Sequence, residues 1–212
     1  MRAPESAVPV GVRCQALCPA VQRLHELAWR PGASMHAAWW DHLGLSAWKT
    51  DYDRHPGCRR ALDALIVQRR GFPAAPLPAV LSDEQKRMLS LESRLPMLVV
   101  ALGIVVARAP ELLMLGSYRR QLLPVLGSDG CDQLAALIPE GRGAMAVEPP
   151  SPLVEWLRGL GSHWLEQTLP GSVIWQALSA CLPPVSASAA GGPVIAPPGL
   201  ALPMLFRLDR LL

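Results

Sequence analysis

Thirteen consecutive residues, Leu95 to Ala107, carry no charged or hydrogen-bonding side chain, and an arginine closes the run at each end, Arg94 and Arg108. A run this apolar must leave water, and its length decides where it can go. As a helix it covers about 20 Å, whereas a bilayer core takes about 20 residues to cross. The run therefore reads as a core helix opened by Pro96, around which the rest of the chain must wrap apolar faces. The composition allows this: half of the 212 residues are apolar and 17% are charged, with a mean hydropathy of +0.23. These values exclude a charge-solvated disordered chain.

The second constraint is punctuation. The 22 prolines and 17 glycines predict many short elements with frequent stops. Residues 1–12 show no periodicity and read as a flexible end. Pro19 to Arg30 sets Val21, Leu24, Leu27 and Ala28 on one helical face, and Pro31-Gly32 ends it. Ser34 then reads as the cap of a helix from Met35 to Leu43. Ala47 to Gly57 reads as a loop, and Cys58 to Arg70 as a helix with Leu62, Leu65 and Ile66 inward and Arg59, Asp63, Arg69 and Arg70 outward. Residues 71–81 hold three prolines and read as an extended link. Ser82-Asp83-Glu84-Gln85 matches a capping box, with Ser at N-cap and Gln at N3.

Beyond the apolar run, short helices are predicted from Pro110 to Leu115, Tyr118 to Leu126 and Asp129 to Ile138, with Gly127-Ser128 as a break. Residues 139–152 form a second link. Pro152 to Leu169 and Ser172 to Leu182 read as helices, the first with Leu153, Trp156, Leu157, Leu160 and Trp164 as its core stripe. Residues 183–199 are a Pro/Ala/Gly-rich linker, and residues 200–212 an amphipathic segment that either docks on the core or serves a partner. No convincing alternating strand and no fixed repeat is present. The expected fold is all-α, one irregular domain over residues 13–182 built from about eight to ten short helices.

The chemistry-bearing residues do not assemble into a known catalytic pattern. Five cysteines, Cys14, Cys18, Cys58, Cys131 and Cys181, are an odd, scattered set that reads as reduced thiols. With His25, His36, His42 and His55 they give no zinc spacing. Neither Gly141-Arg142-Gly143 nor Gly161-Ser162-His163 completes a phosphate loop or a nucleophile elbow. The Asp51-Tyr52-Asp53-Arg54-His55 stretch offers acid and base groups on one expected loop, so a small helical enzyme using it stays open as an alternative. The formal charge is +3, with +4 in residues 1–70; this keeps a basic nucleic-acid-binding module as a further alternative, although Arg59-Arg60, Arg69-Arg70 and Arg119-Arg120 read more simply as solvated helix faces. No cofactor, metal or nucleic acid is expected. Seven tryptophans stand out, four of them in the first quarter: Trp29, Trp39, Trp40 and Trp48. Adjacent Trp39 and Trp40 point about 100° apart on a helix, so one is expected at an interface.

Three ordered segments resemble a known family. They are Leu17-Cys18-Pro19-Ala20; Trp40-Asp41-His42-Leu43-Gly44-Leu45 running to Thr50-Asp51-Tyr52-Asp53; and Leu102-Gly103-Ile104-Val105 leading to Arg119-Arg120-Gln121-Leu122-Leu123-Pro124-Val125-Leu126. Over about residues 14–180 the chain resembles the K subunit of the bacterial type III secretion sorting platform, the family of the Yersinia and Pseudomonas K proteins and the related OrgA and MxiK proteins. The resemblance implies a non-enzymatic helical adaptor in the cytoplasm, peripheral at the inner-membrane face and not itself inserted. Its implied partners are the cytoplasmic forkhead-associated-like domain of the inner-membrane ring protein and the pod Q subunit, and through the pod the L subunit and the ATPase. The family supplies no catalytic residue. Candidate contact residues, chosen on their own chemistry, are Trp39, Trp40, Asp51, Tyr52, Asp53, Tyr118, Arg119 and Arg120.

Overall fold

Proline placement sets several helix starts, because a residue without an N–H loses nothing in the first turn. In the computed structural model, which describes residues 18–138, 149–184 and 197–212, Pro19 opens α1 (Pro19–Trp29) and Pro56 opens α4 (Pro56–Arg70). Between them lie a 3-10 turn (Pro31–Ala33), α2 (Ala38–His42), a second 3-10 turn (Ser46–Trp48) and α3 (Lys49–Arg54). Next come α5 (Asp83–Ser90), α6 (Leu95–Ala107), α7 (Glu111–Met114), α8 (Gly116–Leu137), α9 (Leu153–Thr168), α10 (Val173–Ser179) and α11 (Ala201–Leu211). The described residues contain no strand, and the fold is an all-α single domain.

The capping box forms as predicted. The Gln85 backbone N–H donates to the Ser82 hydroxyl at 3.2 Å, and the Ser82 N–H donates to the Gln85 side chain at 3.0 Å. α6 buries the apolar run, with Leu98, Val99, Val100, Ala101, Leu102 and Ile104 fully enclosed. α9 lies against it along its length. The two backbones nearly touch where glycines face each other's helices: a Cβ on Gly103 would stand 1.9 Å from the Leu157 carbonyl oxygen, and one on Gly161 would stand 2.1 Å from that of Val99. Among the described residues no single helix is long and apolar enough to cross a membrane.

Two hydrophobic cores result. The larger joins α1 and α5 to α11; the smaller gathers Met35, Trp40, Leu45, Tyr52, Leu62 and Ile66 against Ala180. The C-terminal segment docks: Leu202, Leu205 and Leu208 of α11 are buried in the larger core. Arg94 Nη1 holds the Asp209 carboxylate at 2.5 Å, while the Arg87 guanidinium lies 4.3 Å from the centre of the Phe206 ring.

Several expectations change. The helix predicted from Met35 to Leu43 shortens to Ala38–His42, because Ser34 Oγ accepts a bond from Arg23 at 3.0 Å instead of capping. The Ala47 to Gly57 loop is mostly helical, since α3 turns Tyr52 inward and Pro56 opens α4 rather than ending a helix. Asp63 and Arg70 do not face solvent: Asp63 is 5% exposed, and Arg70 packs between aromatic rings. By contrast, the break predicted at Gly127-Ser128 is present: within Gly116–Leu137 two helical halves meet at Gly127, whose non-helical φ of 71° and ψ of 174° only glycine adopts readily. The expectations for residues 1–12, for the 139–148 part of the second link and for the 185–196 part of the linker concern residues outside the described ones.

Candidate interaction surface

The candidate contact residues divide between interior and surface. α2 and α3 bring Trp40 and Tyr52 together as a core pair, 3% and 4% exposed, with ring centroids 5.3 Å apart at 61°. The Tyr52 hydroxyl donates to the Asp63 carboxylate at 3.1 Å, and the Gly32 backbone N–H donates to the same oxygen at 3.0 Å. Gly32 is needed here, because a Cβ would fall 2.6 Å from the Tyr52 ring. Burial pushes the Asp63 carboxyl above its usual range against these donors. Burial first, and then the Asp63 charge, push the Tyr52 hydroxyl up to about 12. These groups brace the smaller core and present no surface.

Trp39 is half-buried. Its indole N–H donates to the Leu182 carbonyl at 2.8 Å, its ring meets His42 edge-on, and the Arg70 guanidinium lies 5.3 Å from its centre. Asp51 is half-buried, whereas Asp53 and His55 are exposed. Asp51 and Asp53, two positions apart on α3, point about 200° apart, so the helix spreads the carboxylates that a loop was expected to gather. The Tyr52 and Asp53 carbonyls accept bonds from Arg59, both at 3.0 Å.

At the α7–α8 junction, Tyr118 is half-buried against the larger core. Arg119 turns inward instead of forming a solvated face: it reaches the Leu113 carbonyl at 3.3 Å, Ser128 Oγ at 3.4 Å and the Asp132 carboxylate at 2.8 Å. It thereby ties α7 to both halves of the kinked helix. Arg120 is exposed, with Nε donating to the Gly116 carbonyl at 3.0 Å. Among the described residues, no three His, Cys, Asp or Glu side chains converge as a metal site.

The surface adds residues outside the candidate contact set. Trp29 and Trp48 are about half exposed, as are Met114 and Leu115 beside Tyr118. An exposed tryptophan is a marked feature because its large ring makes it a frequent anchor in protein interfaces. The surface therefore offers aromatic and apolar anchors rather than a cluster of reactive groups.

A family model described as a type III secretion system subunit matches residues 22–184, about three quarters of the chain. The chain belongs to this family of type III secretion system subunits. The match runs from within α1 to just past α10 and leaves the docked α11 of this secretion subunit outside it. No curated protein and no solved structure matches it.

Proposed function

We propose that this secretion subunit is the K-type adaptor of the sorting platform, joining the cytoplasmic forkhead-associated-like domain of the inner-membrane ring protein to the pod Q subunit. Through the pod it meets the L subunit and the ATPase. The family match over residues 22–184 carries the reading, and the ordered K-like segments from Leu17 to Leu126 narrow it to this subunit. In this role the protein works by contact, without a catalytic step or a cofactor, from the cytoplasmic side of the inner membrane. The exposed residues Trp29, Trp48, Asp53 and Arg120, with the half-exposed Trp39, Asp51 and Tyr118, are its available contact chemistry.

The test is affinity capture of the tagged protein from cells carrying a type III secretion system, with mass spectrometry of what is retained. Recovery of the ring protein and the pod subunit is expected. Recovery of neither from folded, abundant protein refutes the adaptor role and makes turnover assays of Asp51→Ala and Asp53→Ala the next step.

A further inference from the structure

Two guanidinium groups lie largely inside the molecule with no carboxylate in ion-pair range among the described residues. Arg70, at the end of α4, stacks on Trp39 and Phe72 and donates from Nη2 to the Gln176 carbonyl at 2.9 Å; its Nη1 is buried without a partner. Arg158 on α9 is half-buried, and its Nε is likewise unpartnered. Desolvation depresses the pKa of both groups, offset only in part at Arg158 by the charge of Glu155, which is the cost of holding cations away from water without a direct ion pair.

Between α9 and α10 is a cleft of about 230 Å³, walled by Trp39, Trp175, Gln176 and Leu182, with the exposed Glu166 as its charged lining residue; Arg70 touches two of its walls from behind, through the Trp39 ring and the Gln176 carbonyl. Ser162 lines it, 5% exposed, with a hydroxyl that has no hydrogen-bond partner. Arg158, Ser162 and Glu166 sit four positions apart along α9 and so share one face. Arg70 lies directly behind the Trp39 wall.

We propose that this cleft seats one acidic side chain, Asp or Glu, from a segment of a protein partner. The sign follows from where the charges lie. Arg70 and Arg158 act through low-dielectric protein, whereas Glu166 is exposed at the rim and screened by water, so the interior favours an anion. Ser162 Oγ–H supplies a donor already desolvated and unspent, and the Gln176 side-chain amide, also on the wall, can supply a second. The Trp39 indole N–H is already committed to Leu182. The volume suits a side chain and falls below the usual range for drug-sized ligands and cofactors. This inference rests on the protein-binding reading above only in taking the carboxylate from a partner chain.

The experiment uses the full-length protein and follows its indole N–H signals by NMR during titration with acetyl-Ala-Glu-Ala-amide, the matching Gln and Lys peptides, and acetate. The Glu peptide is expected to shift the Trp39 and Trp175 signals saturably and to bind about tenfold more tightly than the Gln peptide. Ser162→Ala is expected to weaken binding about fivefold while leaving folding stability equal or higher, because the hydroxyl has no internal bond to lose. Arg158→Gln should weaken it as well. Equal or tighter binding of the Gln or Lys peptide overturns the proposal, as does the absence of any saturable shift. Acetate binding as tightly as the Glu peptide assigns the cleft to free small anions and overturns the partner segment. If partners are still captured from cells while the peptides fail, the cleft proposal alone falls and the adaptor role stands.

Discussion

Replacing Gly103 or Gly161 by alanine tests the packing logic of the fold. The new methyl carbon at Gly103 would stand 1.9 Å from the Leu157 carbonyl oxygen and 2.6 Å from its carbon; at Gly161 it would stand 2.1 Å from the Val99 oxygen. Ordinary van der Waals contact begins near 3.4 Å, so α6 and α9 must separate by well over 1 Å. The obstacle is main chain and cannot rotate away. A gap of 0.5–1 Å already forfeits a quarter to a half of the dispersion well at each contact, and overpacking in a closed core costs about 1–3 kcal/mol or more. Alanine's better helix propensity returns about 1 kcal/mol, so with the backbone clash at the upper end of that range a net loss of about 2 kcal/mol is expected for each variant. With m of about 2–3 kcal/mol/M the urea midpoint falls by about 0.7–1 M. Gly116→Ala, where a Cβ meets nothing within 4 Å, is the control and should match or slightly exceed the parent. The double variant should lose less than the sum of the singles, because one separation relieves both clashes. A Gly103→Ala protein as stable as Gly116→Ala would refute the reasoning.

Two further perturbations probe the smaller core and the docked helix. Tyr52→Phe removes the hydroxyl that donates to buried Asp63, and should cost about 1.5–3 kcal/mol at neutral pH. The Tyr52 hydroxyl titrates near 12 in the folded protein against 10.0 when free, so its stabilisation is complete below pH 10 and is lost as pH rises from 10 toward 12. Urea melts from pH 8 to 11.5 should show this alkaline loss in the parent and not in Tyr52→Phe; parallel curves would count against the linkage. Leu208→Ala empties a fully buried site on α11 and should cost about 2–5 kcal/mol. Limited proteolysis should then cut near residue 200 first, and an unchanged cleavage pattern would mean that α11 contributes little to the core.

What the sequence disclosed was local. The Ser82–Gln85 capping box is complete within four residues, and the Leu95–Ala107 run carries its own boundaries, so both were legible. Gly127 was legible as the break between the two helical halves of α8. Gly103 was not legible as a contact, because inside an apolar run it looks like any small residue until α9 is known to cross there. Asp63 and Arg70 were placed on the solvent face of α4 by periodicity and charge. Their actual surroundings come from Tyr52, Gly32, Trp39 and Phe72, which a helical wheel of α4 does not contain. Trp39 and Trp40 divided as their angular separation required, one half-buried and one buried, yet nothing in their spacing told which was which. The family was visible because ordered short segments survive as a pattern, whereas contact surfaces depend on which side chains the fold leaves uncovered.

The glycine seam also sets a timetable for biosynthesis. α6 is complete at Ala107, but its partner α9 is complete only at Thr168. At 5–20 residues per second that interval lasts roughly 3 to 12 s. Throughout it the apolar α6 has neither the backbone it is shaped to touch nor α11, which is synthesised later still. The nascent chain is therefore at its most adhesive between the synthesis of α6 and that of α9, and holding chaperones that recognise apolar segments will find their target in Leu95–Ala107 until α9 arrives.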